Sequence, residues 1–355
     1  MNRRTQNIRT SGQLARTAGR LSGISWEAVL SLYIASMQQK SGTRRTYRNA
    51  LRRFFSWADS TGRDFTALRR EDIIVFRDSL QNSRDALQPR TVSLYMTAVH
   101  QFYLWLNSET GYPNIARDIR GAKLSGSSFR SFERQPLSNE QASRLLSYFR
   151  EYHPAMKSGR HAEFRDERLI ALRDYAIVST MLRCGLRTIE VSRLRVRNVA
   201  QRGGRRVLYI WGKGREAPGA GSQPDDFVSL TDKAYAPIAS YLEMRGPAGG
   251  DEPLFANLSH NHAGEPVSPR TVQALCKRGL RAIGLDGHDY TAHSLRHTTG
   301  ETLAEQGVPL LDIQTALRHR NPSTTEIYIA QAMQKRKLEH PAAAVLDDFF
   351  DADEQ

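Results

Sequence analysis

The sequence is poor in cysteine and contains no long apolar run. Its two cysteines, Cys184 and Cys276, cannot form a disulfide framework or a Cys-x-x-Cys metal site, and we expect both to be small apolar residues within helices. No run of about 18 apolar residues is present, and residues 1–23 lack the apolar core of a signal peptide. These absences predict an intracellular, cytoplasmic protein with no membrane partner.

Acidic residues are too few to balance the basic ones. The chain carries 51 Lys and Arg against 37 Asp and Glu, a formal net charge of +14, which indicates a polyanionic partner. Charge alone does not separate DNA, RNA and an acidic membrane. Most of the excess lies in residues 1–134, where 22 basic residues stand against 10 acidic ones. The first third of the chain is therefore the main candidate for an electrostatic contact.

At 355 residues the chain is long enough for two domains. Residues 1–22 are basic with few large apolar residues, which is typical of a disordered solubilising tail or of an arm that orders on DNA phosphates. Over residues 23–119, apolar spacings of three and four predict four helices in a small bundle. Residues 120–135 combine glycine, serine and cations without periodicity and are predicted to be an interdomain linker. Residues 136–338 form the second predicted domain.

One predicted helix of the first domain has a polar face with cations only. Between residues 40 and 55 there are five arginines and no acidic residue. A solvated face normally mixes both signs, so we interpret this face as a surface that contacts DNA phosphates, with plain solvation as the alternative. The candidate DNA-binding residues are Arg44, Arg45, Arg48, Arg52, Arg84 and Arg90.

Residues 291–329 concentrate polar groups that suit phosphodiester chemistry. The helical period of this stretch predicts three short helices, because Gly307 and Pro309 separate the first two and the turn at residues 321–323 begins the third. His293 and Arg296 are three residues apart, so they would project from one face at a helix start. The three helices would bring together His293, Arg296, His319 and Tyr328.

This stretch resembles box II of the tyrosine recombinases, the phage integrase family. The family pattern is His-x-x-Arg, then Leu-Gly-His, then Tyr nine residues after that histidine. Here the sequence reads His293-Ser294-Leu295-Arg296, then Leu317-Arg318-His319, then Tyr328. Arg318 stands where the family usually has glycine.

A second motif upstream resembles box I of the same family, Thr-Gly-Leu-Arg-x-x-Glu. It reads Cys184-Gly185-Leu186-Arg187-Thr188-Ile189-Glu190, and Thr188 is expected to cap the helix that follows. The resemblance makes Arg187 the first catalytic arginine and Glu190 the acidic residue that supports it. Planar guanidinium groups suit this chemistry because they hold the non-bridging oxygens of a pentacoordinate phosphorus with paired hydrogen bonds.

Residues 206–211 and 227–230 are rich in β-branched and aromatic residues and predict a strand and a returning strand. In the family, a lysine on such a β-hairpin serves as the general acid that protonates the departing 5′ oxygen. Lys213 matches that position. The turn is longer than the family's usual one, because residues 216–226 are inserted before the second strand.

The resemblance also implies roles for the remaining side chains. Tyr328 would be the nucleophile, His293 would accept its proton or donate to a phosphate oxygen, and His319 would donate a hydrogen bond. A phenol with a pKa of about 10 is a poor nucleophile at neutral pH, so we expect the two arginines and the imidazoles to favour the phenolate. The resemblance implies no metal ion and no other cofactor.

A zinc site is the alternative for His293 and His297, which are four residues apart. It is disfavoured because the Glu of His-Glu-x-x-His and a third ligand are missing from the sequence. We therefore interpret His297, with the histidines outside the two boxes, as a structural or surface residue.

The fold class implied by the resemblance is mainly α. It comprises an N-terminal helical-bundle core-binding domain of the SAM-like type and a mixed α+β catalytic domain with a small antiparallel sheet. Residues 339–355 form an acidic and apolar tail, which we expect to dock on a neighbouring protomer, with packing on its own chain and disorder as the alternatives.

The function implied is site-specific DNA recombination through a 3′-phosphotyrosyl intermediate, without metal or ATP. The implied assembly is a homo-tetramer on two double-stranded DNA sites, with an accessory DNA-bending or directionality factor as a further candidate partner. Two alternatives are a type IB topoisomerase-like enzyme that nicks and reseals one duplex, and an architectural DNA-binding protein without catalysis.

Overall fold

The structure is a computed structural model that describes residues 24–39, 41–82, 86–119, 121, 135–151, 167–211 and 226–339. Contacts between Cα atoms divide the chain into two compact units, residues 1–127 and 128–355. The division falls within the stretch predicted to be a linker. The predicted domain boundaries themselves remain predictions, as do those for the N-terminal arm and the C-terminal tail, which lie outside the described residues.

The regular elements described in the first unit are all helices. Its helices are α1 (Trp26–Ser36), α2 (Ser41–Ser60), α3 (Arg70–Asn82) and α4 (Pro89–Thr110). Helix α1 begins after Ser25, whose hydroxyl accepts a hydrogen bond from the Ala28 amide at 3.3 Å, and α4 ends at Gly111, which has a φ of +72°. The core of the unit is aromatic, with the rings of Phe54, Phe55 and Phe102 fully buried. The four predicted helices are confirmed.

The second unit is also mainly helical. Its helices are α5 (Asn139–Glu151), α6 (Glu167–Cys184), α7 (Thr188–Arg193), α8 (Asp232–Arg245), α9 (Pro269–Ala282), α10 (Ala292–Glu305), α11 (Leu310–Leu317) and α12 (Ser323–Glu339). Helix α6 is central because it packs against α5, α8, α9 and α10. It buries Ile177, Val178 and Met181 completely. The end of α6 and the start of α7 are therefore held at the middle of this unit.

A small antiparallel sheet lies beside the helices of the second unit. It consists of β1 (Val199–Arg202), β2 (Arg205–Ile210) and β3 (Asp226–Ser229), in the order β1-β2-β3. Ala200 pairs with Val207 in β2, and Leu208 pairs with Val228 in β3. The sequence predicted β2 and β3 but not β1, which is joined to β2 by the two-residue turn Gly203-Gly204, with φ values of +55° and +73°. Residues 212–225, between β2 and β3, lie outside the described residues.

The mainly helical architecture with a small antiparallel sheet is confirmed. Cys184 and Cys276 are free and buried within helices, as predicted. Among the described helices, none is long and apolar enough to cross a membrane.

Candidate active site

Helix α10 carries the first half of box II. Its first residues are held by a reciprocal cap, in which the Thr291 hydroxyl accepts from the His293 amide at 3.2 Å and the Ser294 hydroxyl accepts from the Thr291 amide at 3.0 Å. This cap places His293 in the first turn, where it is exposed, and Arg296 one turn later, where only 1% of its surface is exposed. The two residues thus lie on one side of the helix at different depths.

Arg296 connects two helix ends inside the second unit. It donates to the carbonyl oxygen of Gly185, just after α6, at 2.5 Å, and also to the carbonyl oxygen of Leu317, the last residue of α11. Burial, together with the charges of Arg187 and Arg318, lowers the pKa of Arg296 to about 9, so that it is still a cation at neutral pH. A buried positive charge therefore lies where the two boxes meet.

Glu190 is the acidic centre of the site, and its side chain has no exposed surface. Its carboxylate accepts from Arg187 Nη1 at 2.6 Å and from Arg318 Nη2 at 3.0 Å, and the Arg296 guanidinium lies 3.9 Å away. Burial opposes ionisation of Glu190, but the charges of Arg318, Arg296 and Arg187 outweigh it and lower its pKa. Three guanidinium groups and one carboxylate leave a local excess of positive charge.

The spacing of box I has a local structural reason. Arg187 occupies the N-cap position of α7, and the carboxylate of Glu190, three residues later, accepts from the Arg187 amide at 2.8 Å. This is the half of a capping box in which the third helical residue reaches back to the cap. The predicted cap at Thr188 is therefore wrong by one residue, because Thr188 is the first residue of the helix. The same cap orients the Arg187 side chain toward Glu190.

Arg318 ends helix α11 in the left-handed region, with φ +54° and ψ +46°. Glycine adopts this conformation without strain, whereas another residue type does so at a cost of about 1–2 kcal/mol. The guanidinium of Arg318 makes compensating contacts, since Nη2 donates to the carbonyl oxygen of Gly185 at 2.9 Å as well as to Glu190. An arginine in the glycine position of box II thus becomes the third guanidinium of the site.

His319 follows directly and lies beside the candidate nucleophile. Its Nδ1 is 2.9 Å from the hydroxyl of Thr325, and its ring is nearly parallel to that of Tyr328, at 8°, with centroids 6.1 Å apart. Burial, then the charges of Arg296, Arg187 and Arg318, lowers the pKa of His319 to about 3. The imidazole is therefore neutral at pH 7 and able to donate one hydrogen bond.

Tyr328 lies on α12 with 1% of its surface exposed. Its ring packs against Gly300 of α10 so closely that a Cβ at position 300 would lie 2.7 Å from Cζ of the phenol. Burial raises the pKa of Tyr328 to about 12, although Arg296 and Arg187 act in the opposite direction. The two arginines thus favour the phenolate, as expected, but burial outweighs them.

His297 was not among the predicted site residues. It is buried, and its Nδ1 lies 3.0 Å from the Tyr328 hydroxyl, within hydrogen-bonding distance. Its ring also contacts His293 edge to face, with centroids 4.6 Å apart. The interpretation of His297 as a structural or surface residue is therefore incomplete. The signal in the sequence was the spacing of four from His293, which places both rings on one side of a helix.

The structure thus brings together five of the six predicted catalytic residues and the supporting Glu190. Lys213, the sixth, lies outside the described residues. Over the part of the chain that is described, no three His, Cys, Asp or Glu side chains lie together as metal ligands would.

Comparison with known proteins identifies the family. The profile described as "Phage integrase family" matches residues 129–335, and the profile of the phage integrase N-terminal SAM-like domain matches residues 31–110. The chain belongs to the phage integrase family. It is therefore a tyrosine recombinase, an enzyme that cleaves and rejoins DNA strands, and the SAM-like character predicted for the first domain is confirmed.

The similarity to two members of this family extends over nearly the whole length of each relative. Tyrosine recombinase XerC of Pelobacter propionicus is 27% identical over 311 residues, which are 77% of this chain and 96% of the relative. A tyrosine recombinase of Thermosipho africanus is 25% identical over 317 residues, covering 87% and 95% of the two chains. The similarity thus extends over both units of the recombinase.

Solved recombinases share the fold. The XerH site-specific recombinase bound to a palindromic difH substrate, in a post-cleavage complex, has a TM-score of 0.64 at 19% identity, covering 86% of this chain and 80% of that one. A lambda integrase dimer (residues 75–356) bound to a COC′ core site has a TM-score of 0.59 at 15% identity, covering 86% and 95%.

The predicted DNA-binding residues of this tyrosine recombinase lie on two helices of the first unit. Arg45, Arg48 and Arg52 are exposed on α2, opposite its buried stripe, and Arg90 is exposed at the start of α4. Arg44 is half-buried, and its Nε has no hydrogen-bond partner among the described residues. Arg84 lies outside the described residues, so its predicted role stays a prediction.

Proposed function

We propose that the protein is a site-specific DNA recombinase that cuts and rejoins DNA through a 3′-phosphotyrosyl intermediate. The observation that carries this proposal is the position of the Tyr328 phenol beside a cluster of three guanidinium groups around a single carboxylate. A pentacoordinate phosphate gains negative charge on its non-bridging oxygens, and the net positive charge of Arg187, Arg296 and Arg318 would stabilise it.

The proposed reaction consists of two transesterifications. The Tyr328 oxygen attacks the scissile phosphorus, the bond to the 5′ oxygen breaks, and that oxygen takes a proton from a general acid, for which Lys213 is the proposed residue. The 5′ hydroxyl of a partner duplex then attacks the phosphotyrosyl bond and releases Tyr328. His319, neutral at pH 7, would donate a hydrogen bond to a non-bridging oxygen. Because the ester bond is exchanged and not hydrolysed, the proposed reaction requires no ATP, and the guanidinium charge would take the place of a metal ion.

Double-stranded DNA and a homo-tetramer are the proposed partner and assembly. The related folds support this, since the solved structures include XerH on difH DNA and a lambda integrase tetramer bound to a Holliday junction. A protein with this activity on DNA would lie with the nucleoid in the cytoplasm. Integration and excision of a mobile element, or resolution of joined DNA molecules, are the processes that we propose such strand exchange would serve, with an accessory DNA-bending or directionality factor as a candidate partner.

The tail at residues 339–355 is proposed to dock on a neighbouring protomer. It contains six acidic residues together with two phenylalanines. Near the end of α12, Lys337 is exposed and Met333 is 66% exposed, so this helix offers a basic and apolar surface to such a tail. Charge complementarity between the two segments supports the proposal.

Covalent trapping tests the proposed function. Wild type and Tyr328→Phe are incubated, without magnesium, with nicked duplexes from pooled genomic and element-end fragments, and protein–DNA adducts that resist SDS are isolated and sequenced. We expect an adduct with wild type and none with Tyr328→Phe, because no phosphotyrosyl bond can form without the phenol oxygen. Tyr235→Phe is the matched control, since its ring, beneath the Arg206 guanidinium, remains in place.

Three results would redirect the proposal. DNA binding without any adduct would favour the architectural alternative. Relaxation of plasmid that lacks the recovered site, by monomers, would favour the topoisomerase alternative. A chain that ends at Pro341 and still assembles and reacts as wild type does would contradict docking of the tail.

A further inference from the structure

We infer that His297 is a further catalytic residue, which takes the proton from the Tyr328 hydroxyl through Nδ1 and passes it toward His293. This inference rests on the proposed function, since it assigns the proton acceptor of the proposed attack. It differs from the assignment implied by family resemblance, in which His293 accepts that proton or donates to a phosphate oxygen.

The contact between the two side chains has the geometry of proton transfer. The Tyr328 oxygen and His297 Nδ1 are 3.0 Å apart, within the range of heavy-atom distances expected between a general base and the group that it deprotonates. Both residues are buried, at 1% and 7% exposure, so bulk water does not take the place of the imidazole. Gly300, one turn after His297 on the same helix, allows the phenol ring to approach the helix this closely.

The phenol needs such an acceptor in this arrangement. Burial raises the pKa of Tyr328 to about 12, so a negligible fraction of the phenol is ionised at neutral pH. Attack therefore requires a base that removes the proton as the O–P bond forms. His319, the other imidazole near Tyr328, meets the phenol ring to ring, and its Nδ1 is 2.9 Å from the Thr325 hydroxyl. His297 places a ring nitrogen 3.0 Å from the phenol oxygen.

We propose that a proton on His297 leaves outward along the same helix. His293 lies one turn before it, and the two rings meet edge to face at 88° with centroids 4.6 Å apart. His293 is exposed, whereas His297 is buried. The pair thus leads from a buried oxygen to the surface.

In the proposed step, each bond that forms is matched by a bond that breaks. The O–H bond of Tyr328 breaks, its proton bonds to His297 Nδ1, and the oxygen electron pair forms the bond to phosphorus. The bond from phosphorus to the 5′ oxygen breaks, and that oxygen is protonated by the general acid of the proposed mechanism. His297 then gives up a proton on the His293 side. In the rejoining step the proton on Nδ1 returns to the departing tyrosine oxygen, and His297 regains a proton from the His293 side.

Single-turnover cleavage of the duplex recovered by trapping tests the inference, with His297→Asn and His297→Ala compared with wild type. Asparagine places an amide oxygen near the position of Nδ1, so it keeps a hydrogen-bond acceptor but cannot take the proton. We expect both variants to cleave about 10²–10⁴-fold more slowly, the range for loss of a general base. His262→Asn, at an exposed histidine paired with Glu265, is the matched control.

A second substrate separates the base from the acid. With sulfur in place of the bridging 5′ oxygen, the leaving group needs no protonation, so the substrate should restore cleavage by Lys213→Ala but not by the His297 variants. Thermal unfolding and binding to the uncleaved duplex confirm that each variant is folded and engages DNA.

Each outcome is decisive. Cleavage at the wild-type rate by both His297 variants, or by His297→Asn alone, would overturn the proton-transfer role; in the second case His297 only positions the phenol. Restoration of the His297 variants by the sulfur substrate would also overturn it. If wild type itself forms no adduct while Tyr328→Phe behaves identically, the proposed function fails and the inference fails with it.

Discussion

On helix α2, Arg45, Arg48 and Arg52 are exposed, and within the described part of the chain none of them has an acidic partner. Around Glu190, by contrast, Arg296 and Arg318 are buried, Arg187 is largely buried, and all three surround one carboxylate. The side-chain chemistry is the same in both groups. The difference lies in solvent access and in the number of partners that each charge has.

The two groups indicate two ways in which arginine can bind or stabilise a phosphate. Exposed guanidinium groups act at long range, are screened by salt and contribute nearly independently, so each can be lost at small cost. Buried guanidinium groups depend on one another and on the acid between them, because an uncompensated buried charge is costly. A change in the second group should therefore affect both stability and reaction, and a change in the first should affect only binding.

Glu190→Gln is expected to have the largest effect. It leaves three guanidinium groups without their acid, and we expect a loss of about 3–5 kcal/mol in the free energy of unfolding, measured by urea denaturation at pH 7. Glu265→Gln, which removes an exposed partner of His262, is the control and should change stability by less than about 0.5 kcal/mol. Equal effects of the two substitutions would erase the contrast between buried and exposed groups.

The pH dependence of the same variant sharpens this expectation. The pKa of Glu190 is lower in the folded protein than its ordinary value of 4.5, so the stability that it contributes is fully present above that value. It is lost as the pH falls through the lowered pKa of the folded state. We therefore expect the difference between wild type and Glu190→Gln to shrink below pH 4.5 and to remain constant from pH 6 to 8.

Arg318→Gly and Arg318→Ala form a matched pair with an intermediate effect. Both remove the guanidinium that contacts Glu190, but only glycine relieves the left-handed backbone at φ +54°. We expect the alanine variant to be less stable than the glycine variant by about 1 kcal/mol, measured by urea denaturation, and both to cleave DNA more slowly than wild type. Equal stability of the two variants would show that the backbone conformation costs little.

Arg48→Gln is expected to have the smallest effect. Its loss should reduce by about 1 the slope of log binding constant against log salt concentration, measured on any duplex, because phosphate contacts are independent of sequence. Stability should change by less than about 0.5 kcal/mol. Arg63→Gln, which removes an exposed arginine paired with Asp72, is the control and should leave the slope unchanged. An unchanged slope for Arg48→Gln would remove α2 from the proposed DNA contact.

The sequence predicted most of what depends on local pattern. Helical period and end signals identified the helices that carry box II, and the strand pair β2 and β3 followed from its composition. Strand β1 was missed because it has only four residues, two of which are polar. The cap at Arg187 was missed because a serine or threonine is the commoner cap, and Thr188 stood beside it.

Contacts between distant residues could not be predicted in the same way. Arg318 meets Glu190 across 128 residues, and Tyr328 meets His297 across 31. Matching the sequence to a motif identifies only the residues that the motif contains. It therefore did not identify Arg318 or His297 as site residues. The depth of Tyr328 was also not predictable, because it depends on how closely α12 packs against Gly300.

Arg296 couples the formation of the site to the completion of the fold. Its guanidinium joins the carbonyl groups that follow α6 and end α11, which are far apart in the chain. The guanidinium group proposed to activate a DNA phosphate therefore also holds two distant parts of the domain together. Before folding is complete, these hydrogen bonds are absent and the three arginines are not held around Glu190. The guanidinium cluster around Glu190 is therefore assembled only when the fold is complete.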